Sequence, residues 1–380
     1  MQVEELSNSI DAKEYLKQLG VDGGGISILS SKISHHIIYI RDLHVGAANI
    51  LKQDALSVGA DLAVPRGTVI ATMPIVNCIL IATSRQLDIL SKKELSQPFG
   101  LKDVAEKLQK ILKVKKPKSV DIMGVVNAND DSFFSGSRFR EHDAILAIQN
   151  MIEDGANIID IGGVSSAPNA SRVDAFEELS RVSPILDAIK EKKLYEKVRF
   201  SIDSYEPTVV KYALDSGFNI VNDITGLADD EVCKLCASYD ATAIIMHMQG
   251  TPQTMQIAPC YANILSDIYR FFDLRMQKAK SFGIKDVVLD VGIGFGKTLE
   301  DNLKLIKHLQ HFLTLEAPLL VGASRKSMID KIYSCPPDDR LVATIALHLE
   351  AVKNGASMLR VHDVKEHVQV LSIYKALAKS

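Results

Sequence analysis

Residues 198–224 read VRFSIDSYEPTVVKYALDSGFNIVNDI, two short apolar-rich runs, VRFSID (198–203) and NIVNDI (219–224), on either side of a helix-like stretch. The same alternation extends in both directions. Upstream stand VDIMGVVN (120–127) and NIIDIGG (157–163). Downstream stand TAIIMHM (242–248), VVLDVG (287–292), PLLVGAS (318–324) and SMLRVHD (357–363). Amphipathic helical stretches such as DAFEELSRVSPILDAIKEK and DNLKLIKHLQHFL fill the gaps. Runs that are apolar throughout, rather than alternating, predict parallel strands covered on both faces. Eight strands alternating with helices over about 265 residues are what a (β/α)8 barrel needs. A doubly wound sheet is the alternative architecture, and eight regular units disfavour it.

The composition shifts at VKKPKS, after a helix-like run over Leu101–Leu112, and a domain boundary is expected there: a small α/β domain over residues 1–115, then the barrel over 116–380. The first part has strand-like IIYI and a greasy segment, Val69–Thr83, broken by Pro74 and Asn77, which reads as a buried strand pair. Gly23–Gly25 has no strand–helix frame that would make it a phosphate loop. The role of this domain is not legible; stabilisation, dimerisation and regulation all remain open.

Lys plus Arg total 44 against 47 Asp plus Glu, which leaves no basic surplus for nucleic acid. No apolar run reaches the roughly 18 residues a membrane span requires. The acidic, polar N-terminus does not resemble a secretory signal, and five cysteines are an odd number for a disulfide framework. A reducing cytoplasm is expected. Cys233 and Cys236 form an isolated C-x-x-C in a helical pattern, with no second pair at zinc spacing.

Barrel active sites lie at the C-terminal ends of the strands. Here those ends carry Asn127, Asp203, Asn222-Asp223, His247, Asp290, Ser324-Arg325-Lys326, and Arg360 with His362, while strand 2 leads through Gly162-Gly163 to Ser165 and Ser166. A single such residue is as well explained by a helix cap. All of them on one rim form a ligand site. Carboxylates and amides suit a planar nitrogen heterocycle, and cations after the last two strands suit phosphate.

At these residues the chain resembles the dihydropteroate synthases of folate synthesis, from about Val120 to the end. N-D-I, M-H-M-Q-G, G-I-G-F-G-K-T, S-R-K-S and R-V-H-D occur in that order. The resemblance implies transfer of the dihydropterin from (7,8-dihydropterin-6-yl)methyl diphosphate to 4-aminobenzoate. It implies that Asp290 takes the pterin 2-amino and N3 hydrogens, with Asn222 and Asp203 beside it on the ring edge. Lys326 would face the carbonyl oxygen and N5, Arg360 would stack on the pterin and reach the diphosphate, and His362 would also touch the diphosphate. Asn127 would ligate Mg²⁺, Ser327 would hold the aminobenzoate carboxylate, and Phe133 would pack on its ring. Met246 and Phe295 would line the pterin pocket, and Ser166 would bind substrate. The family's usual homodimer and competition by sulfonamides are implied in the same way.

Two loops depart from the family. Asn127–Gly136 lacks the usual threonine–proline pair and has Ser135 for an aspartate. GGVSSAPN has Val164 for glutamate, Ser166 for threonine, Ala167 for arginine and Asn169 for glycine. Activity is expected to survive with altered loop ordering. Three rival readings meet the same residues. A Schiff-base Lys326 fits poorly beside the arginine and serines of an anion site. A methyltetrahydrofolate-dependent methyltransferase has no use for the cations of S-R-K-S and R-V-H-D. A non-catalytic pterin-binding protein is favoured by the altered loops and opposed by the intact cationic set.

Overall fold

A computed structural model describes residues 1, 3, 4, 6, 11–128, 137–164 and 173–377, without the side chains of 137–141. The chain divides into two compact units, Met1–Val114 and Lys115–Ser380.

In the first unit β1 (His35–His44), β2 (Asp61–Ala63) and β3 (Ile75–Thr83) form an antiparallel sheet in the order β1-β3-β2. Val76, Cys78, Leu80 and Ala82 of β3 alternate onto one face and pack with Leu51, Leu87, Leu90, Leu101 and Leu108 of the helices. The strand pair expected over Val69–Thr83 is corrected to one strand, Ile75–Thr83. Ahead of it the backbone folds back through Thr68 N–H to Pro65 O and Ala71 N–H to Thr68 O, leaving Val69 and Ile70 in solvent. Gly23–Gly25 opens a helix, Gly23–Ile33, capped by the Asp22 carboxylate.

The second unit contains β4 (Asp121–Asn127), β5 (Ile158–Gly162), β6 (Arg199–Asp203), β7 (Ile220–Asp223), β8 (Thr242–Met246), β9 (Val287–Asp290), β10 (Leu319–Val321) and β11 (Met358–Val361). They pair in parallel and in sequence, and β11 pairs β4 to close the barrel. The (β/α)8 expectation is met, with helices covering the outside against Phe200, Phe272 and Phe312. Cys233 and Cys236 lie buried on the helix Asp230–Ser238 as core residues. Burial raises the Cys236 thiol to about 12. Among the described residues no three His, Cys, Asp or Glu converge in a metal-binding group, and no helix is long and apolar enough to cross a membrane.

Strand alternation explains why the rim is polar. Met123, Ile158, Ile220, Ile244, Val288, Leu320 and Met358 form one buried layer inside the barrel. Side chains repeat their direction every second residue. Two positions further along, the same inward direction brings Asp160, Asn222, Met246, Asp290, Gly322 and Arg360. Register keeps the tips level, since Asp203 pairs Asn222 and Met246 pairs Asp290.

Candidate active site

Arg360 is the centre of the inward layer. Its Nε donates to Asp160 Oδ2 at 2.6 Å, and a terminal nitrogen donates to Asp203 Oδ2 at 2.6 Å. Asp160 Oδ2 also accepts from Asn222 Nδ2 at 3.2 Å. One guanidinium thus serves two carboxylates, which push its ionisation further up against the opposing effect of burial. Burial moves the Asp203 carboxyl up to about 7, with Arg360 pulling it down and Asp160 adding to the rise. Three buried oxygens in this sector have no hydrogen-bond partner among the described residues: Asp160 Oδ1, Ser201 Oγ and Asn222 Oδ1. Buried acceptors are normally satisfied, so a patch of open ones is a place for a ligand's N–H groups.

Asp290, at the tip of β9, accepts the Gly292 N–H at 2.8 Å, and burial raises its carboxyl above the ordinary range. Lys326 Nζ stands 4.2 Å from the centroid of the Phe295 ring. Burial, then Arg360, bring the Lys326 ammonium down to about 8, while Asp290 and Asp203 pull it back up. The structure therefore brings Asp203, Asn222, Asp290, Lys326 and Arg360 into one electrostatically coupled cluster. Met246 and Phe295 join Ile224 and Met255 in an apolar patch.

The loop after β9 is drawn tightly under β8. Gly292 (φ +65°) lies so close to His247 that a Cβ there would sit 2.1 Å from its carbonyl oxygen, which only glycine tolerates. Lys297, almost fully buried, donates from Nζ to the carbonyls of His247 at 3.0 Å and Phe295 at 2.8 Å, and meets His247 Nδ1 at 3.1 Å. Burial brings that ammonium to about 7 and the His247 imidazole to about 2, so His247 is neutral.

The loop after β10 carries Arg325 at φ +55°, its fork turned onto Asp363 at 3.0 and 2.7 Å. Lys326 stands at the N-cap position of the helix Ser327–Ile332 without a side-chain capping bond, and Ser327 is exposed at its start. His362 N–H donates to Ser324 Oγ at 3.3 Å, and Ser324 Oγ meets His362 Nδ1 at 2.9 Å. Burial and then Arg360 bring His362 to about 4. Asn127 ends β4, part-exposed, opposite Gly162. Phe133 and Ser166 lie outside the described residues.

Sequence reading missed Asp160, Ser201 and Lys297. The aspartate inside NIIDIGG carried a usable signal, because a carboxylate in an apolar strand must have a buried partner. Lys297 lay inside the quoted G-I-G-F-G-K-T but received no role.

Residues 123–362 match the family described as pterin binding enzyme. The bifunctional dihydropteroate synthase/dihydropteroate reductase of Helicobacter pylori is 41% identical over 368 residues, 97% of each chain. The dihydropteroate synthase of Escherichia coli is 38% identical over 258 residues, 67% of this chain and 90% of its own. Among solved structures, the Yersinia pestis dihydropteroate synthase in its sulfonamide complex superposes with a TM-score of 0.65 at 36% identity, covering 69% of this chain and 95% of that one. The Xanthomonas albilineans dihydropteroate synthase with 4-aminobenzoic acid gives 0.64 at 32% identity, covering 69% and 94%.

Proposed function

The chain belongs to the pterin-binding enzymes, among the dihydropteroate synthases, and from that premise we propose what each rim residue does in the condensation of (7,8-dihydropterin-6-yl)methyl diphosphate with 4-aminobenzoate. The amine nitrogen bonds to the pterin methylene carbon as the carbon–oxygen bond to diphosphate breaks. The electron pair leaves with diphosphate and the amine proton goes to water. No side chain attacks, so catalysis is positioning and charge stabilisation.

Asp290 accepts the 2-amino and N3 hydrogens side by side, and the open oxygens of Asn222 and Asp160 complete an acceptor wall with Asp203. Lys326 donates to the carbonyl oxygen and N5. Met246 and Phe295 close on the ring. Arg360, held by two carboxylates, stacks on the pterin and turns its remaining donors to the diphosphate. His362, a neutral imidazole, offers a ring N–H to the same group. Ser327 and Phe133 are assigned to the aminobenzoate side, and Ser166 to substrate binding, by resemblance. The observation that carries this reading is the hydrogen-bonded set of Arg360, Asp160, Asp203 and Asn222 on one rim, with Asp290 and Lys326 close enough to act on each other's ionisation.

The donor set at the mouth fits Mg²⁺ brought in with the substrate. Among the described residues no protein cage of three or more anionic or imidazole ligands exists, and the Asn127 amide oxygen is a hard ligand. Mg²⁺ characteristically takes few protein ligands plus substrate phosphates. When bound, it would neutralise charge on the departing diphosphate. Asn127 is its proposed protein ligand.

We further propose residues 1–115 as a separate small domain, a cytoplasmic location consistent with five free cysteines, sulfonamides as competitors of 4-aminobenzoate, and a homodimer. Exposed Tyr333 and Val342 are apolar surface that a second copy would cover, and light scattering of the full chain tests this. The activity test is diphosphate release by the full chain. Release that depends on adding 4-aminobenzoate supports the synthase, and release without it, or none, refutes it.

One observation favours a second reaction. The match to the H. pylori bifunctional protein spans 97% of this chain and so takes in the first unit, whereas the E. coli match accounts for 258 residues, about the barrel alone. The added reaction would be hydride transfer from a reduced nicotinamide or reduced flavin to C6 of 7,8-dihydropteroate with a proton to N5, turning the C6=N5 bond into a single bond. Tetrahydropteroate formed by the full chain from dihydropteroate and reduced nicotinamide, with or without flavin, supports it. Unchanged dihydropteroate in both mixtures rules it out.

A further inference from the structure

Behind the loops that carry Lys326 and His362 lies a chain of hydrogen bonds the condensation does not use directly. His348, on the helix Leu341–Lys353, and His367, on the helix Val364–Leu377, are both almost fully buried. The Ala323 N–H donates to His348 Nε2 at 3.0 Å. His348 Nδ1 meets His367 Nε2 at 2.9 Å, and His367 Nδ1 meets the Asp363 carbonyl oxygen at 2.6 Å. Both ends are backbone groups with one possible role each. Ala323 N–H can only donate, so His348 Nε2 carries no proton and Nδ1 does. That Nδ1–H donates to His367 Nε2, which is therefore bare, and His367 Nδ1–H donates to the Asp363 carbonyl. A second proton on either ring would set two donors against each other, and burial opposes both protonations.

The residues at the two ends matter. Ala323 immediately precedes Ser324-Arg325-Lys326, and Asp363 immediately follows His362. The same two loops are tied by the Arg325–Asp363 fork and by Ser324 with His362, and Thr344, on the His348 helix, accepts the Arg325 N–H at 3.0 Å. We infer that His348 and His367 are positioning residues for the anion clamp: their neutral two-ring relay sets the spacing between the loop bearing Ser324 and the loop bearing His362, and thereby the grip on the diphosphate rather than on the pterin. This rests on the reading of Arg360 and His362 as that clamp. The geometry favours the diphosphate side because the relay ends at Ala323 and Asp363, the neighbours of the bonded pair Ser324 and His362, whereas the ring-edge groups Asn222 and Asp290 stand on β7 and β9.

The test compares two ligands on the full chain by calorimetry: the dihydropterin methyl diphosphate with Mg²⁺, and 6-hydroxymethyl-7,8-dihydropterin, the same ring without diphosphate. His348→Phe keeps ring volume and removes both bonds. It should weaken the diphosphate ligand tenfold or more, with kcat/KM falling through KM, and leave the diphosphate-free ring within twofold. His348→Gln, which returns an acceptor to Ala323, should recover most of the loss. Equal weakening of both ligands, or no weakening of either, overturns the inference. Selective ¹⁵N labelling of histidine in the wild-type protein gives a readout independent of any variant's folding. Both rings should be Nδ1–H tautomers, and inorganic diphosphate should shift their signals; Nε2–H tautomers would sink the relay. A wild-type protein that gains no affinity from the diphosphate would remove the clamp and the relay's role together. A diphosphate preference that survives in folded His348→Phe removes only the relay.

Discussion

Replacing Asp160 separates the holding of Arg360 from the holding of the fold. Asp160 is fully buried, its Oδ2 takes Arg360 Nε at 2.6 Å, and its Oδ1 has no partner among the described residues. A hydrogen bond to a charged group contributes ~1.5–3 kcal/mol, and a neutral one ~0.5–1.5 kcal/mol. Asp160→Asn keeps shape and one acceptor, so it loses the difference, about 1–1.5 kcal/mol, or roughly five- to twelvefold in kcat/KM for the pterin diphosphate. Removing the buried charge also removes a desolvation penalty, which offsets the stability loss, so the melting temperature should move by only about 3 °C either way. Asp160→Ala leaves the guanidinium half-paired, and the full ~1.5–3 kcal/mol, roughly 10- to 150-fold, should be lost together with a clear drop in melting temperature. Steady-state kinetics at saturating 4-aminobenzoate, with calorimetric melting of the same samples, measure both effects. The KM for 4-aminobenzoate should stay within twofold. If Asp160→Asn turned over like wild type, or lost stability as severely as Asp160→Ala, the carboxylate would not be what orients Arg360.

Asp290→Asn should weaken 6-hydroxymethyl-7,8-dihydropterin at least 30-fold, in line with about 2 kcal/mol for a charged acceptor, and leave diphosphate binding intact. Because burial raises this carboxyl and the ring needs it ionised, wild-type affinity should fall on acidification starting above the usual aspartate range; a flat profile from pH 7.5 to 5 speaks against it. Chelating Mg²⁺ should stop turnover while the diphosphate-free pterin still binds, and Asn127→Ala should raise the Mg²⁺ concentration for half-activity severalfold, an unchanged value arguing against that ligand. In the first unit, burial and then the Asp54 charge push the Glu94 carboxyl up to about 7. The unfolded chain binds fewer protons than the folded one between about pH 4.3 and 7, so stability falls with rising pH across that window. Glu94→Gln should abolish the slope. Hydrogen-exchange protection of residues 45–57, corrected for intrinsic rate, should then match at pH 5 and 8, and a slope that survives refutes the assignment.

The polar residues that close the apolar runs were legible because a strand tip in a βα unit is where an apolar run stops, and Asp203, Asn222, Asp290, Lys326 and Arg360 stand at or just beyond such tips. Asp160 was hidden one turn of the pleat deeper, inside β5, where its neighbours in sequence are all apolar. Lys297 was not legible, because its burial depends on the close approach of Gly292 to His247, which only the fold produces. The Val69–Thr83 segment misled because hydrophobic content alone does not distinguish a strand from an exposed turn.

Local chain chemistry, by itself, determined that eight parallel strands alternate with helices and that their C-terminal tips are polar, since hydrophobic period and strand ends depend on neighbours a few residues apart. Which carboxylate faces which cation was decided only by closure of the barrel. Arg360 meets Asp160 and Asp203 across 200 and 157 residues of chain, and His348 meets His367 from a different helix. Such pairings are set by register and by the need to satisfy buried donors and acceptors together, and that balance exists only once the strands have closed and water has been excluded.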